Sequence, residues 1–270
     1  METTEYIDTL RREGELLADA AERAGEHAPV PTCPGWTTGD LVRHTSTFHR
    51  WAARIVAESL PGPVPEDPAP GVPTGTDLWP WFRDGHAALL RTLEAADPAA
   101  HCWTFLPGAP PPLAFWARRQ AHETAVHRVD AESARGGEVT PLDVAFAADG
   151  IDELLTGFHA RTRSRVRTER PRTLRVRPTD TGTDTGTGTE TETGTGTETE
   201  TETGTVWTVR LSADAPPRAE RSADGPADCE LSGPAQTLYL LLWNRLPLDA
   251  AVVTGDRALA DLWRRTSGIG

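Results

Sequence analysis

The side chains best suited to chemistry in this sequence lie on one predicted helix and are His122, Glu123 and His127. His122 and His127 are five residues apart, which is about 140° around a helix, so they cannot converge on one ion. Glu123 and His127 are four residues apart and lie on one face, one turn from each other. This spacing permits a metal-ligand pair, and a surface hydrogen bond between the two side chains is the alternative interpretation.

A tetrahedral metal ion needs a third protein ligand from another helix if it is to keep one position open for a substrate. His44 is our candidate, because it follows Leu41 by three residues and precedes Phe48 by four, a spacing that points it into a helical core. His49, one turn farther along, is the reserve ligand. A histidine satisfied by hydrogen bonds within the core is the alternative for His44.

Further charged side chains accompany the pair on the same helix. Arg119 is expected to orient Glu123 as an outer partner of the metal. Asp130 is predicted either to hold the ring N–H of a ligand histidine or to pair with an arginine, whereas Arg128 is expected to face away from the pair. Buried charges need partners or an ion, so this polar stripe favours a metal.

The elements that position these residues are predicted to be four helices in the first half, at 3–25, 38–59, 76–96 and 113–135. Thr37 with Asp40 three residues later is typical of a helix start. The second half is predicted to combine helices at 141–165, 235–246 and 257–266 with strands at 173–178, 206–212, 227–233 and 251–256. The fold class is therefore α+β, a four-helix bundle followed by a smaller mixed α/β domain.

The predicted domains are 1–138 and 139–270. A proline-rich linker at 61–73 lies within the first, and an insert at 179–205, in which Thr alternates with Gly, Asp or Glu, lies within the second. The insert has no apolar residue to bury, so we expect it to be disordered and to lengthen the tip of a hairpin.

Composition excludes several classes of function. All 27 basic residues are Arg, and the formal net charge is −13. Without a basic stripe, binding to nucleic acid or to an anionic membrane is not expected. No apolar stretch is long enough to span a bilayer and no signal peptide is evident, so a cytoplasmic protein is expected.

The three cysteines are widely spaced and form neither a disulfide framework nor a CxxC metal site. Cys33 lies by a helix start, where a thiolate would be favoured, but within CPGW we interpret it as a packed turn residue. Trp36, in the same turn, is predicted to be the hydrophobic staple of the following helix.

Three segments together resemble the mycothiol-dependent maleylpyruvate isomerase family. They are CPGWTTGDLVRH (33–44), RRQAHETAVHRVDAE (118–132) and LLLWNRLPLDAAVVTGDRALADLW (240–263). The resemblance covers nearly the whole chain apart from the linker and the Thr-rich insert. It implies a DinB-like metal-binding helical bundle and a C-terminal domain similar to sterol carrier proteins.

The resemblance also implies a divalent metal, usually zinc, on His44, Glu123 and His127, and mycothiol as a thiol cosubstrate. Bound to the metal, the thiol would become a thiolate that adds to, or is transferred to, a small electrophile, as in a cis–trans isomerase or an S-transferase. Arg245 is the candidate catalytic residue, binding a substrate carboxylate, and a solvated arginine at a helix C-terminus is its alternative.

Two other functions remain open at the level of sequence. One is a non-catalytic, metal-binding regulator of the anti-sigma type, although such proteins usually place cysteine on the metal and no Cys stands near His44 in helical register or beside Glu123. The other is lipid carriage, for which the second half is too short to form a large apolar tunnel. We expect a monomer or weak dimer.

Overall fold

The computed structural model describes residues 1–65, 72–181 and 205–269, which fall into two compact units, Met1–Pro141 and Leu142–Gly270. Helices form the first unit, and the second combines helices with a five-stranded sheet. This confirms the predicted α+β class. No helix of the described residues is both long and apolar enough to cross a membrane.

Four long helices make up the first unit: α1 (Thr3–Ala24), α2 (Thr38–Ala57), α3 (Leu78–Ala95) and α4 (Pro112–Arg135). α1 packs along α4 and α2 packs along α3, while α2 also contacts α4. The α2–α4 contact is the one that matters for the candidate site, because it brings the two predicted sources of ligands together.

Local signals in the sequence explain where these helices begin and end. Thr37 accepts a hydrogen bond from the backbone N–H of Asp40, whose carboxylate accepts the backbone N–H of Thr37, so the predicted start of α2 is confirmed. Pro112 opens α4, where its missing N–H costs nothing. Gly136, with a φ of 81°, follows the last turn of α4, a backbone conformation that favours glycine.

The sheet of the second unit has the strand order β3-β2-β1-β4-β5. Its strands are β1 (Arg172–Pro178), β2 (Trp207–Leu211), β3 (Arg218–Arg221), β4 (Cys229–Gly233) and β5 (Val252–Gly255). β1 and β2 flank the Thr-rich insert and pair antiparallel, with Leu174 opposite Val209. This is the pairing that the hairpin prediction requires. β1 and β4 are parallel.

Three helices complete the second unit: α5 (Val144–Asp152), α6 (Ala235–Leu242) and α7 (Arg257–Thr266). α5 passes into a π-helical segment, Glu153–Phe158, so the helix predicted for 141–165 ends earlier than expected. α6 also ends before the predicted residue 246. Asn244 takes a left-handed φ of 63°, and the backbone N–H of Arg245 returns to the carbonyl of Leu240, a common way to close a helix.

Strand β3 was not predicted, because Ala219 is its one apolar residue and its pattern of burial is mostly exposed. Residues 66–71 of the proline-rich linker and 182–204 of the Thr-rich insert lie outside the described residues. The predictions made for them stay predictions.

Candidate metal centre

Two neighbouring helices bring three ligand-type side chains together. His44 projects from α2, and Glu123 and His127 project from one face of α4. Nε2 of His44 lies 3.4 Å from Oε1 of Glu123, and Nε2 of His127 lies 3.2 Å from the same oxygen. One ligand atom from each of the three residues lies within 4.8 Å of the other two.

This spacing fits a small divalent cation. With bonds of about 2.0–2.1 Å, two ligand atoms of a tetrahedral ion are about 3.3–3.4 Å apart, and both distances to Glu123 are close to that value. Two imidazoles and one carboxylate form a donor set typical of catalytic zinc, with a fourth position open. The side chain of His44 is 31% exposed and that of His127 only 9%, so the cluster is more open on the side of α2.

Two charged side chains bind the α4 ligands through the ligand atoms that do not face the cluster. Arg119, itself almost fully buried, donates to Oε2 of Glu123 at 3.0 Å, which leaves Oε1 facing the two histidines. Asp130 is fully buried, and its Oδ2 lies 2.9 Å from Nδ1 of His127. A carboxylate on that nitrogen orients the ring so that Nε2 faces the cluster, as in the carboxylate–histidine–zinc arrangement.

Electrostatics in the cluster reflect these contacts. Burial alone would raise the pKa of Glu123, but hydrogen bonds from His127 and His44 outweigh it and hold the pKa well below its usual value. Burial alone would lower the pKa of His127, but its hydrogen bonds to Asp130 and Glu123 raise it to about 9. The two neighbouring carboxylates therefore favour the protonated form of His127.

The turn before α2 contacts the candidate metal centre, which its sequence did not predict. Thr32 donates its hydroxyl to Oδ1 of Asp130 at 2.6 Å, and the thiol of Cys33 donates to Oδ2 at 3.3 Å. Cys33 therefore lies in the turn as predicted, but it also contacts the carboxylate behind His127. The ring of Trp36 lies 4.9 Å from that of His44 and 6.3 Å from that of His127, measured between centroids. Trp36 thus borders the ligands, a placement that its interpretation as a staple did not anticipate.

Sequence reasoning had no means of placing this turn at the cluster. Thr32 and Asp130 are separated by 98 positions. The one available signal was the resemblance itself, since the segments 33–44 and 118–132 that carry it contain Cys33, Trp36 and both sets of ligands.

Other predicted residues lie elsewhere. His49, the reserve ligand, is fully buried with Nε2 at 2.8 Å from the hydroxyl of Thr124, and it is not part of the ligand cluster. Burial, together with the neighbouring His86, lowers its pKa well below the usual value. Arg128 faces away from the pair as expected, but it is fully buried and paired with Glu13 and Glu132.

Arg245 belongs to the second unit, directly after the left-handed residue that closes α6. Its guanidinium donates to the carbonyl of Trp243 at 2.8 Å. Its assignment to a substrate carboxylate stays a prediction.

Comparisons with known proteins were made for the whole chain. A family model described as the mycothiol maleylpyruvate isomerase N-terminal domain matches residues 7–132, and the model of the corresponding C-terminal domain matches residues 145–262. No curated protein matches the sequence.

Two solved structures are similar to this chain: a mycothiol-dependent maleylpyruvate isomerase and a histidine-to-alanine mutant of that enzyme. TM-scores are 0.58 and 0.59, and both structures are 14% identical to the chain. The match covers 94% of this chain and 93% of each of theirs. At this level of identity, the likeness shows a shared fold.

Proposed function

The chain belongs to the mycothiol maleylpyruvate isomerase family, and from this premise we propose that it is a metal-dependent enzyme with mycothiol as its thiol cosubstrate. Its second substrate is a small electrophile, and the outcome is either S-transfer or cis–trans isomerisation. Low-molecular-weight thiols stay reduced in the cytoplasm, so the proposal places the activity there.

The observation that supports this proposal most strongly is the convergence of His44, Glu123 and His127, in which Nε2 of each histidine lies 3.2–3.4 Å from one oxygen of Glu123, close to the spacing of ligands on a tetrahedral ion. The three residues come from two helices. Among the described residues, they form the one group of three or more His, Cys, Asp or Glu side chains whose ligand atoms are close enough together to hold a metal ion. We propose them as the ligands of a divalent cation, with zinc as the expected ion.

Each surrounding residue has a distinct task in this proposal. Arg119 holds Glu123 so that one oxygen faces the cation, and Asp130 keeps Nε2 of His127 directed to the same point. Thr32 and Cys33 hold the Asp130 carboxylate in turn. When bound, the cation would lower the pKa of the cosubstrate's thiol, so that a nucleophilic sulfur is available at neutral pH.

The reaction class follows from thiol chemistry. The S–H bond of the cosubstrate would break and a C–S bond would form at an electrophilic carbon, while the displaced electron pair passes to the neighbouring carbon of the double bond, or to a leaving group, which takes up the proton directly or from solvent. Where the acceptor is a cis double bond, rotation about the new single bond and expulsion of the thiol give the trans isomer. Where the adduct is stable, the outcome is transfer. Arg245 is proposed to bind a carboxylate of the substrate in either case.

The test combines metal analysis with adduct detection. We expect about one divalent ion per chain in the wild type and its loss in His127→Ala, with His101→Ala as the control because His101 is exposed. Mass spectrometry of the metal-loaded protein with mycothiol and a panel of unsaturated acids and quinone-like electrophiles should detect enzyme-dependent adducts or isomers. A protein that retains metal but binds no thiol would contradict the proposal and favour the regulatory, anti-sigma-type alternative.

A further inference from the structure

The three proposed ligands are held in different ways. On α4, Arg119 donates to Glu123 at 3.0 Å, and Oδ2 of Asp130 lies 2.9 Å from Nδ1 of His127. Among the described residues, the ring of His44 on α2 has one polar partner, Oε1 of Glu123 at 3.4 Å. The side chain of His44 is 31% exposed, so it can turn toward solvent unless packing holds its ring.

Two aromatic rings supply this packing. The indole of Trp36 meets the His44 ring at 65° with 4.9 Å between centroids, and the ring of Phe48 meets it at 46° and 4.6 Å. Both distances lie in the range in which aromatic rings attract each other. Phe48 stands four residues after His44, so helical spacing alone makes them neighbours. Trp36 precedes the helix and reaches His44 from outside it.

The position of Trp36 is fixed by the turn that carries it. In the sequence CPGW, Pro34 and Gly35 are the two central residues of a β-turn. The backbone N–H of Trp36 closes this turn on the carbonyl of Cys33 at 3.0 Å, and Gly35 has a φ of 88°, as a type II turn requires there. The carbonyl of Trp36 accepts from the N–H of Val30 at 3.0 Å. The indole therefore projects from a backbone that is hydrogen-bonded on both sides.

The indole of Trp36 also lies against the second histidine. Its ring is 6.3 Å from that of His127, and the two planes are inclined by 20°. Asp130 already orients the His127 ring, so the indole rests on a fixed neighbour. Among the described residues, Phe48 has no ring contact with His127. Trp36 is therefore better placed than Phe48 to hold the α2 ligand relative to the α4 ligands.

From these contacts we infer that Trp36 is a positioning residue of the proposed metal centre. Its indole keeps the His44 ring turned toward Glu123, so ring packing does for the α2 ligand what a carboxylate does for His127. This inference rests on the proposed function and adds a residue to its metal site. Without the indole, His44 turns into solvent for part of the time, and the cation then keeps two of its three protein ligands.

The experiment measures zinc affinity of the full chain by competition with a chromophoric chelator. We expect Trp36→Leu to raise the dissociation constant about ten-fold, as the loss of a hydrogen-bonded outer partner does. Trp36→Phe keeps a ring beside His44 and should stay within about three-fold of the wild type. Phe48→Leu leaves the indole in place and should also cost about three-fold or less. The visible spectrum of cobalt-loaded Trp36→Leu should move toward that of cobalt-loaded His44→Ala.

Trp81→Leu is the matched control. Trp81 is another half-buried tryptophan that packs against the same hydrophobic core as Trp36, but Arg50 lies over its ring at 4.4 Å in place of a ligand histidine. The control should leave zinc affinity unchanged. Equal losses in Trp36→Leu and Trp81→Leu would show an effect of core packing and would overturn the inference.

A double-mutant cycle separates positioning from general stability. If Trp36 acts through His44, Trp36→Leu should change zinc affinity less than about two-fold in a His44→Ala background. Fully additive losses overturn the inference, as does a folded Trp36→Leu protein whose dissociation constant stays within about two-fold of the wild type. Trp36→Met, which keeps an unbranched apolar side chain, replaces Trp36→Leu should that variant fail to fold.

The same measurements distinguish this inference from the proposed function. If the wild type and His44→Ala bind zinc equally well, the ligand assignment fails and the inference fails with it. If Trp36→Leu weakens zinc binding as expected but mycothiol forms no adduct or isomer with any electrophile, the positioning role is supported and the proposed function fails.

Discussion

Replacing Asp130 with Asn tests how the ligand set is organised, because the change removes a charge and keeps the shape. Asp130 is fully buried and its Oδ2 lies 2.9 Å from Nδ1 of His127. Outer carboxylates of this kind raise the basicity of the ligand histidine and fix its orientation. The Asp130→Asn variant should therefore bind zinc more weakly while still folding.

The size of the effect follows from the partners of the carboxylate. Thr32, Cys33 and His127 all bring donor groups to the two oxygens of Asp130. An amide offers one oxygen and one NH₂ group, so in either orientation at least one of these partners faces an N–H instead of an acceptor. We expect the dissociation constant for zinc to rise about 10- to 100-fold, equivalent to about 1.4–2.7 kcal/mol.

The assay is competition for zinc with a chromophoric chelator, with cobalt as a spectroscopic substitute. Asp19→Asn serves as the control, since Asp19 is an exposed partner of Arg83 on α1. A folded Asp130→Asn protein whose dissociation constant stays within about two-fold of the wild type would refute this reasoning, because loss of the outer carboxylate should cost at least about ten-fold.

Three further predictions concern the ligand, the core and pH. Glu123→Gln should weaken zinc binding more than about 100-fold, measured by the same competition, because it removes a ligand rather than an outer partner. Arg128→Met should lower the free energy of unfolding in urea by about 3–5 kcal/mol, because Glu13 and Glu132 are left buried without their cation. Burial, with a contribution from the charge of Arg161, lowers the pKa of His159 from 6.5 to about 3, so below pH 6.5 the unfolded chain binds more protons than the folded one. His159 should thus contribute a loss of stability of about 2 kcal/mol between about pH 6.5 and pH 5, and His159→Phe should reduce the pH dependence by about that amount.

Each of these three predictions has a control variant or a result that would contradict it. Full activity in Glu123→Gln would count against the ligand assignment. Arg83→Met, which breaks exposed pairs with Asp19 and Glu22, should cost less than about 1 kcal/mol, and equal losses for the two arginines would contradict the weight given to burial. An unchanged pH profile in His159→Phe would show that other groups control acid stability.

What could be predicted from sequence was local in origin. Thr37 and Asp40 define a helix start within four residues, and Glu123 and His127 share a helix face because of their spacing alone. The failures have equally local causes. Asn244 closes α6 early by adopting a left-handed conformation, and β3 carries too little apolar character to be read as a strand.

Tertiary relations were less accessible. Nothing in the spacing of the sequence brings Thr32 to Asp130 or pairs Arg128 with Glu13, because these contacts join residues that are 98 and 115 positions apart. His44 was reached by helical spacing and by the resemblance together. Trp36 was read from its position before a helix, and that position says nothing about which ring it will face.

Anomalous diffraction at the zinc edge, on crystals of the zinc-loaded full chain, tests the central claim most directly. The account predicts one strong peak at about 2.0–2.2 Å from Nε2 of His44, Nε2 of His127 and one carboxylate oxygen of Glu123. A zinc peak on other residues, or zinc-soaked crystals with no peak between α2 and α4, would contradict it.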